Sequence, residues 1–510
     1  MSQSANGPKP HPDLVRSYAL EWRHGAATFL PLLRYNKAHV VAATEAGIIP
    51  LQPAASLLGA LGALAETGFD ALPQDARLDG HQPNMEAELA RRCGAENAGW
   101  VSIGRARQEC EFVARQIACR EEHLQLVDAV AELQETLLEL ALRETEAVMP
   151  YATWGQPAEP ITLGYYFAAL AEGLAADLKR LRCAHESLSR SRADIGQVVP
   201  APLPIDRGRV AELLGFPSLM RSSLYGYASL DAELEVLSAM SILTANLARA
   251  AENIFVWCSP EYGFLRFGDA FSGTSYLMPQ KRNPYALRMV RPVAAQAAGA
   301  WSEALQLFSG GLPIVGNGLI HIPNRLMDCM KPARDVCTLL SRALPTLETD
   351  RERMRAAAEA GWAQAPQLVY LLVDAHGVPF RRAHHLVAEA VRAVSGQGGD
   401  NITPEAVAAA LSAAAGGTIR VQTKAVHQAL DVVQLVATRS NGGPAPASVQ
   451  KQVAALREGA VALRQWLDGE HQRGRDAETA LDAAARAIVA RSTEAQSASS
   501  AHTRNLDTAP

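Results

Sequence analysis

The sequence is poor in the residues that build sheets, disulfide frameworks and nucleic-acid surfaces. Aromatic residues make up only 6% of its 510 positions, although 48% are hydrophobic and alanine is abundant. Alanine forms helices best, whereas aromatic and β-branched residues favour strands, so an all-α fold is expected. The seven cysteines (93, 110, 119, 183, 258, 329 and 337) are odd in number and scattered, with no pair at CxxC spacing. That argues for reduced thiols and against a disulfide framework or a zinc ribbon. The formal charge is only −5 and no long basic run occurs, which speaks against nucleic acid as a partner. No apolar run is long enough to span a membrane, and the first thirty residues lack a positive-then-apolar leader pattern, so the expected location is cytoplasmic with no membrane partner. No glycine-rich phosphate loop follows a strand pattern, and no cofactor is expected. His384 and His385 are adjacent and cannot share one metal face as i, i+4 pairs do. They are read as packing residues, and no metal is expected.

What the chain has in quantity is long helical periodicity. Residues 121–148 repeat apolar positions at three- and four-residue spacing, and 162–189, 229–257, 286–309 and 327–348 show the same pattern. Helices of this length joined by short loops imply an elongated bundle. Residues 237–257 are apolar around more than half of the helix circumference, which suggests packing on partners outside the chain. A chain of 510 residues exceeds one compact core. The expected division is a helical amino-terminal domain (1–118), a central bundle (119–365), a small helical carboxy-terminal domain (366–491) and a Ser/Thr/Ala-rich disordered tail (492–510).

The chemistry concentrates in residues 272–284, Ser-Gly-Thr-Ser-Tyr-Leu-Met-Pro-Gln-Lys-Arg-Asn-Pro. Gly273, Thr274 and Ser275 supply small size and hydroxyls, while Lys281 and Asn283 supply a cation and an amide. Pro279 and Pro284 forbid a simple helix through the segment. This string resembles the signature loop of the fumarase/aspartase superfamily, lyases that eliminate an amine or water to leave fumarate, and within it most resembles argininosuccinate lyases. The resemblance implies a three-domain all-α fold with a long central helical bundle. It also implies a homotetramer whose core merges helices of four subunits, and a small dicarboxylate substrate. It implies Ser275 as the catalytic base, supported by Lys281, with Asn283 binding substrate.

Two upstream segments resemble the family's other site segments. Ile103-Gly104-Arg105-Ala106-Arg107-Gln108-Glu109 resembles Thr-Gly-Arg-Ser-Arg-Asn-Asp, which implies that Arg107 and Gln108 hold a succinyl carboxylate. Met149-Pro150-Tyr151-Ala152-Thr153-Trp154-Gly155-Gln156-Pro157-Ala158 resembles Met-Pro-Gly-Tyr-Thr-His-Leu-Gln-x-Ala, which implies substrate contacts from Thr153 and Gln156. Here the pattern departs: Trp154 stands where the family has a histidine, and an indole has a donor but no usable proton acceptor. The glutamate that pairs with that histidine corresponds to Arg288, which could stack on the indole or bind an extra carboxylate. The stretch after Gly311-Leu312-Pro313, Val315 to His321, and the segment Asn36-Lys37-Ala38-His39 also differ from the family's, whereas Val378-Pro379-Phe380-Arg381-Arg382-Ala383-His384-His385 matches closely. Three readings remain open: a lyase releasing fumarate from a succinyl-amine other than argininosuccinate, argininosuccinate lyase itself, and a non-catalytic scaffold that keeps the tetramer.

Overall fold

The computed structural model describes residues 11–78, 80–196, 198–309, 315–396 and 403–506. Its principal helices are α1 (Gly25–Glu45), α2 (Leu51–Thr67), α3 (His81–Cys93), α4 (Arg107–Arg143), α5 (Leu163–Leu188), α6 (Asp231–Trp257), α7 (Val290–Phe308) and α8 (Val315–Ala343). They are followed by α9 (Ala365–His376), α10 (Phe380–Ser395), α11 (Pro404–Ala414), α12 (Thr423–Leu430) and α13 (Pro446–Leu506). Strands are confined to two-stranded pairs, the longest being β1 (Val148–Thr153) with β2 (Gln156–Thr162). The molecule is all-α, and no helix among the described residues is long and apolar enough to cross a membrane.

Helices α4, α5, α6, α7 and α8 pack side by side as the central bundle. The Thr162 hydroxyl caps α5 by accepting the Tyr165 amide, which explains why the helix starts where the periodicity begins. α4 is longer at its amino end than periodicity predicts. Its first turns, Glu109 to Arg120, are buried on every side, so no polar face marks the repeat. The expected boundary at 118/119 therefore falls inside one helix, whose two ends belong to the same hydrophobic core. α4 ends at Arg143, five residues before the end of the apolar periodicity at 148, and Val148 to Thr153 form β1 instead.

The carboxy-terminal region differs from expectation in two ways. A separate small core formed by α9 to α12, including Leu368, Leu411 and Val426, ends before residue 446. α13 then returns to the main body, where Leu467, Leu481, Ala485 and Ile488 join the principal core. The tail expected to be disordered from 492 is helical through Leu506, while residues 507–510 lie outside the described residues. Alanine-rich composition suits a helix as well as a tail, and here the face bearing Leu481, Ala485, Ile488 and Ser492 finds a partner. Ser492 donates to Gln52 of α2 at 2.7 Å, and Arg120 of α4 meets Glu470 at 3.0 Å. His384 and His385 do not pack as expected; both are exposed on α10.

If α13 is part of the bundle, removing its fully buried anchor must cost as much as a core deletion elsewhere. Leu467→Ala is expected to lower stability by about 2–5 kcal/mol, measured as a shift of the urea unfolding midpoint.

Candidate active site

The three site segments sit at opposite ends of the bundle. Arg107 and Gln108 occupy the first turn of α4, both half-buried. Thr153 and Gln156 stand beyond the other end of the same helix. With 37 residues in α4, the rise of 1.5 Å per residue separates its ends by about 54 Å. The Ser275 loop lies at the hairpin end. Trp257, which closes α6, packs edge-on against Tyr166 at the start of α5 with ring centroids 4.7 Å apart. Leu265–Arg266 (β3) then pairs with Glu348–Thr349 (β6), and Thr349 reaches Glu144 just past the end of α4. One chain thus brings two segments to one end and leaves the third at the other.

The hairpin β1–β2 places Thr153 directly opposite Gln156, and both side chains are exposed. Its two turn residues, Trp154 and Gly155, have φ of 55° and 72°. Such a turn is the tight connection that matches strand twist, and it favours Asn or Gly at the first position. A bulky indole there is strained, and Trp154 is also 100% exposed. This chain therefore carries its largest side chain at a costly conformation with no cover of its own. The stacking of Arg288 on Trp154 does not occur within the chain; the Arg288 guanidinium lies 5.8 Å from the Tyr285 ring centre.

Residues 272–284 form a second small hairpin, with Gly273–Thr274 (β4) pairing Arg282–Asn283 (β5). The Ser275 hydroxyl accepts the Met278 amide at 3.1 Å, a donor of the kind that stabilises an alkoxide. The Asn283 amide donates to the Gly273 carbonyl at 3.4 Å, and Arg282 pairs with Asp269. Lys281 is exposed, as are Tyr276 and Leu277, so the tip projects from the body. Gly273 is required by space rather than by backbone angle, because a Cβ there would overlap the Tyr285 ring.

At the other end lies a cluster that sequence reasoning missed. Arg105 donates to Asn36 at 2.7 Å and lies 4.7 Å over the ring of Tyr35. The Tyr35 hydroxyl is 3.0 Å from Glu109 and 2.8 Å from Asp194, and His39 faces Asp194 at 3.1 Å and the Ile103 carbonyl at 3.0 Å. Burial, with Asp194 adding to it, pushes the Glu109 carboxyl up to about 7. Burial alone would raise Asp194 as well, but His39 and Arg105 hold it below the ordinary carboxylate range. The signal available in the sequence was the alternation of charged residues Arg105, Arg107 and Glu109 just before the apolar residues Phe112 to Ala114. The Gly311-Leu312-Pro313 segment lies outside the described residues.

The profile of a family described as "Lyase" matches residues 33–299, and one described as "Argininosuccinate lyase C-terminal" matches residues 362–437. An argininosuccinate lyase of Shouchella clausii is 32% identical over 463 residues, covering 89% of this chain and 90% of that protein. The chain belongs to the argininosuccinate lyase-like branch of the fumarase/aspartase superfamily. It is a carbon–nitrogen lyase. The argininosuccinate lyase of Methanoculleus marisnigri is 32% identical over 438 residues, covering 86% of this chain and 88% of that protein. Among solved structures, EDDS lyase in complex with formate superposes with a TM-score of 0.84 at 28% identity, covering 96% of this chain and 97% of that one. A class II fumarase from Schistosoma mansoni shares the fold, with a TM-score of 0.68 at 14% identity over 82% of this chain and 91% of that one.

The tight seat of Gly273 in this lyase makes a specific demand. Gly273→Ala is expected to lower kcat/KM at least about tenfold by displacing the loop, and a Gly273→Ala/Tyr285→Ala double variant is expected to recover part of the loss. Steady-state kinetics beside thermal melting would separate loop displacement from unfolding.

Proposed function

We propose that this lyase catalyses β-elimination from an N-substituted aspartate, releasing fumarate and an amine, and that its substrate is not argininosuccinate. The observation that carries this reading is Trp154, fully exposed at the hairpin tip where the resemblance implies a histidine. The position cannot protonate a leaving amine or bind it as a base, and Arg288 replaces the acid that would have supported one. The pocket that reads the amine is therefore changed, while the groups that handle the succinyl part are present.

Arg107 and Gln108 hold one carboxylate, with Thr153 and Gln156 completing its hydrogen bonds. Ser275, as the alkoxide, takes the Cβ proton onto its Oγ. The pair left on carbon is delocalised into the neighbouring carboxylate as an aci-carboxylate, which Lys281 and Asn283 stabilise. That pair then forms the C=C bond of fumarate, and the C–N bond breaks toward nitrogen. The leaving nitrogen takes its proton from solvent or from an acid on the substrate itself.

Since about 54 Å of helix separates Arg107 from the hairpin end, these groups meet when subunits pack side by side in opposite directions, bringing the start of one bundle to the hairpin end of another. The surface supports that. On α7, Val290, Val293, Ala297, Ala300 and Ala304 are buried while Trp301, Leu305 and Phe308 lie uncovered, and α6 leaves Phe255 and Val256 exposed. We read this face as the core of a homotetramer.

The names of the curated relatives favour argininosuccinate as the second reading, and one assay separates the two. Fumarate release, followed by ultraviolet absorbance, is expected from a member of a panel of N-substituted aspartates and not from argininosuccinate; turnover of argininosuccinate would overturn the reading. Ser275→Ala is expected to cost about 10²–10⁴ in rate. A shared site makes a separate prediction: co-refolding inactive Arg107→Ala with inactive Ser275→Ala is expected to restore activity that neither shows alone. If each site lies within one chain, no mixture will recover.

A further inference from the structure

The buried cluster at the amino end of α4 contains one proton too few for its acceptors. Tyr35 has a single hydroxyl proton, yet its oxygen lies 3.0 Å from a Glu109 oxygen and 2.8 Å from an Asp194 oxygen. It also accepts the Asp194 backbone amide at 3.2 Å, which restricts how the hydroxyl can turn. His39 can satisfy Asp194 but puts no proton between Tyr35 and either carboxyl. Two oxygen–oxygen contacts this short need a proton each; the hydroxyl supplies one, and a carboxyl must bring the other. Asp194 is the wrong candidate: His39 and Arg105 favour its ionised form. Glu109 is fully buried and its Oε2 has no partner within hydrogen-bond geometry. Burial and the facing Asp194 outweigh Arg105 and the Ala106 backbone amide, which favour its charged form.

We propose that Glu109 is a positioning residue that works as a neutral acid: it donates its proton to Tyr35 Oη, and loss of that proton disturbs the first turn of α4, moving Arg107 and Gln108. The connection is direct. Ala106 caps α4, Glu109 is its third residue, and Arg107 and Gln108 are the two between them. The groups around Glu109 are Tyr35 and His39 from α1, Asp194 from the loop after residue 191, and Arg105 from the turn before α4. Cys110, its neighbour on α4, is pushed up to about 12 by burial and stays a thiol. When Glu109 ionises, its carboxylate faces that of Asp194 across one hydroxyl, and the two repel. The carboxyl can relieve this only by moving, and it is covalently part of the turn that carries the substrate-binding arginine. The pair Tyr35–Glu109 is thus a proton gate on the anchor of the succinyl group.

This inference rests on the proposed elimination for its functional consequence but not for its first test. Infrared difference spectra of the wild-type protein between about pH 6 and about pH 8 should show loss of a protonated carboxyl band, centred near the value of about 7 for Glu109. Tyr35→Phe should shift that band, because the hydrogen-bond partner is gone, and Glu109→Gln should remove it. A spectrum with no band sensitive to Tyr35→Phe overturns the proposal whether or not a substrate is known. With the panel substrate, wild-type kcat/KM should fall about tenfold per pH unit above the Glu109 midpoint. Glu109→Gln, which keeps the donor but cannot ionise, should flatten that limb. An unchanged limb in Glu109→Gln would also overturn the proposal. Absence of any turnover with the spectroscopic titration intact would count against the proposed elimination alone.

Discussion

The rise of an α-helix sets the terms for this molecule. α4 runs unbroken for 37 residues with Arg107, the proposed carboxylate anchor, at its start and the β1–β2 hairpin just past its end. No rearrangement of loops closes a gap of about 54 Å, so on the proposed reading a helix that stabilises the monomer also keeps the monomer from owning a complete site. The uncovered apolar faces of α6 and α7 follow from the same geometry. They extend along the bundle, where they can pair subunits so that opposite ends meet.

The two ends of the bundle differ in how they hold their chemistry. At the start of α4, Arg105, Tyr35, Glu109, Asp194 and His39 form a dense polar seat inside the core. Such a network is built before any ligand arrives, although Glu109 Oε2 and two Arg105 nitrogens in it lack partners, and it packs directly beneath the turn that carries Arg107. At the other end, Trp154, Tyr276 and Leu277 project into solvent from short hairpins. These residues have the exposure and apolar character of groups that become buried by a neighbouring subunit or by substrate. In the proposed elimination, recognition of the constant succinyl part rests on this buried interior. In the same reading, the variable amine meets exposed side chains such as Trp154.

Much of this was legible in the residues. The loop 272–284 was identifiable because small residues, prolines, a lysine and an asparagine at that spacing serve chemistry and little else. The bundle helices were legible wherever one face met water, as in α5 and α6. Legibility failed where burial removed the polar face, as in the first turns of α4, and where composition was ambiguous, as in the alanine-rich end of α13. The Trp154-Gly155 turn escaped notice because tryptophan is a poor residue for it, so local propensity argued against the hairpin that formed.

By itself, the sequence determined the helical class, the candidate loop and the resemblance that names its family, because these depend on local composition and short-range order. Only the tertiary structure decided that Glu109 shares a hydroxyl with Asp194, 85 residues away in the chain, that α13 closes on the bundle, and that Arg107 and Ser275 lie at opposite ends of it. Those relations are set by which surfaces meet when helices pack. No periodicity within a segment records the identity of its neighbour.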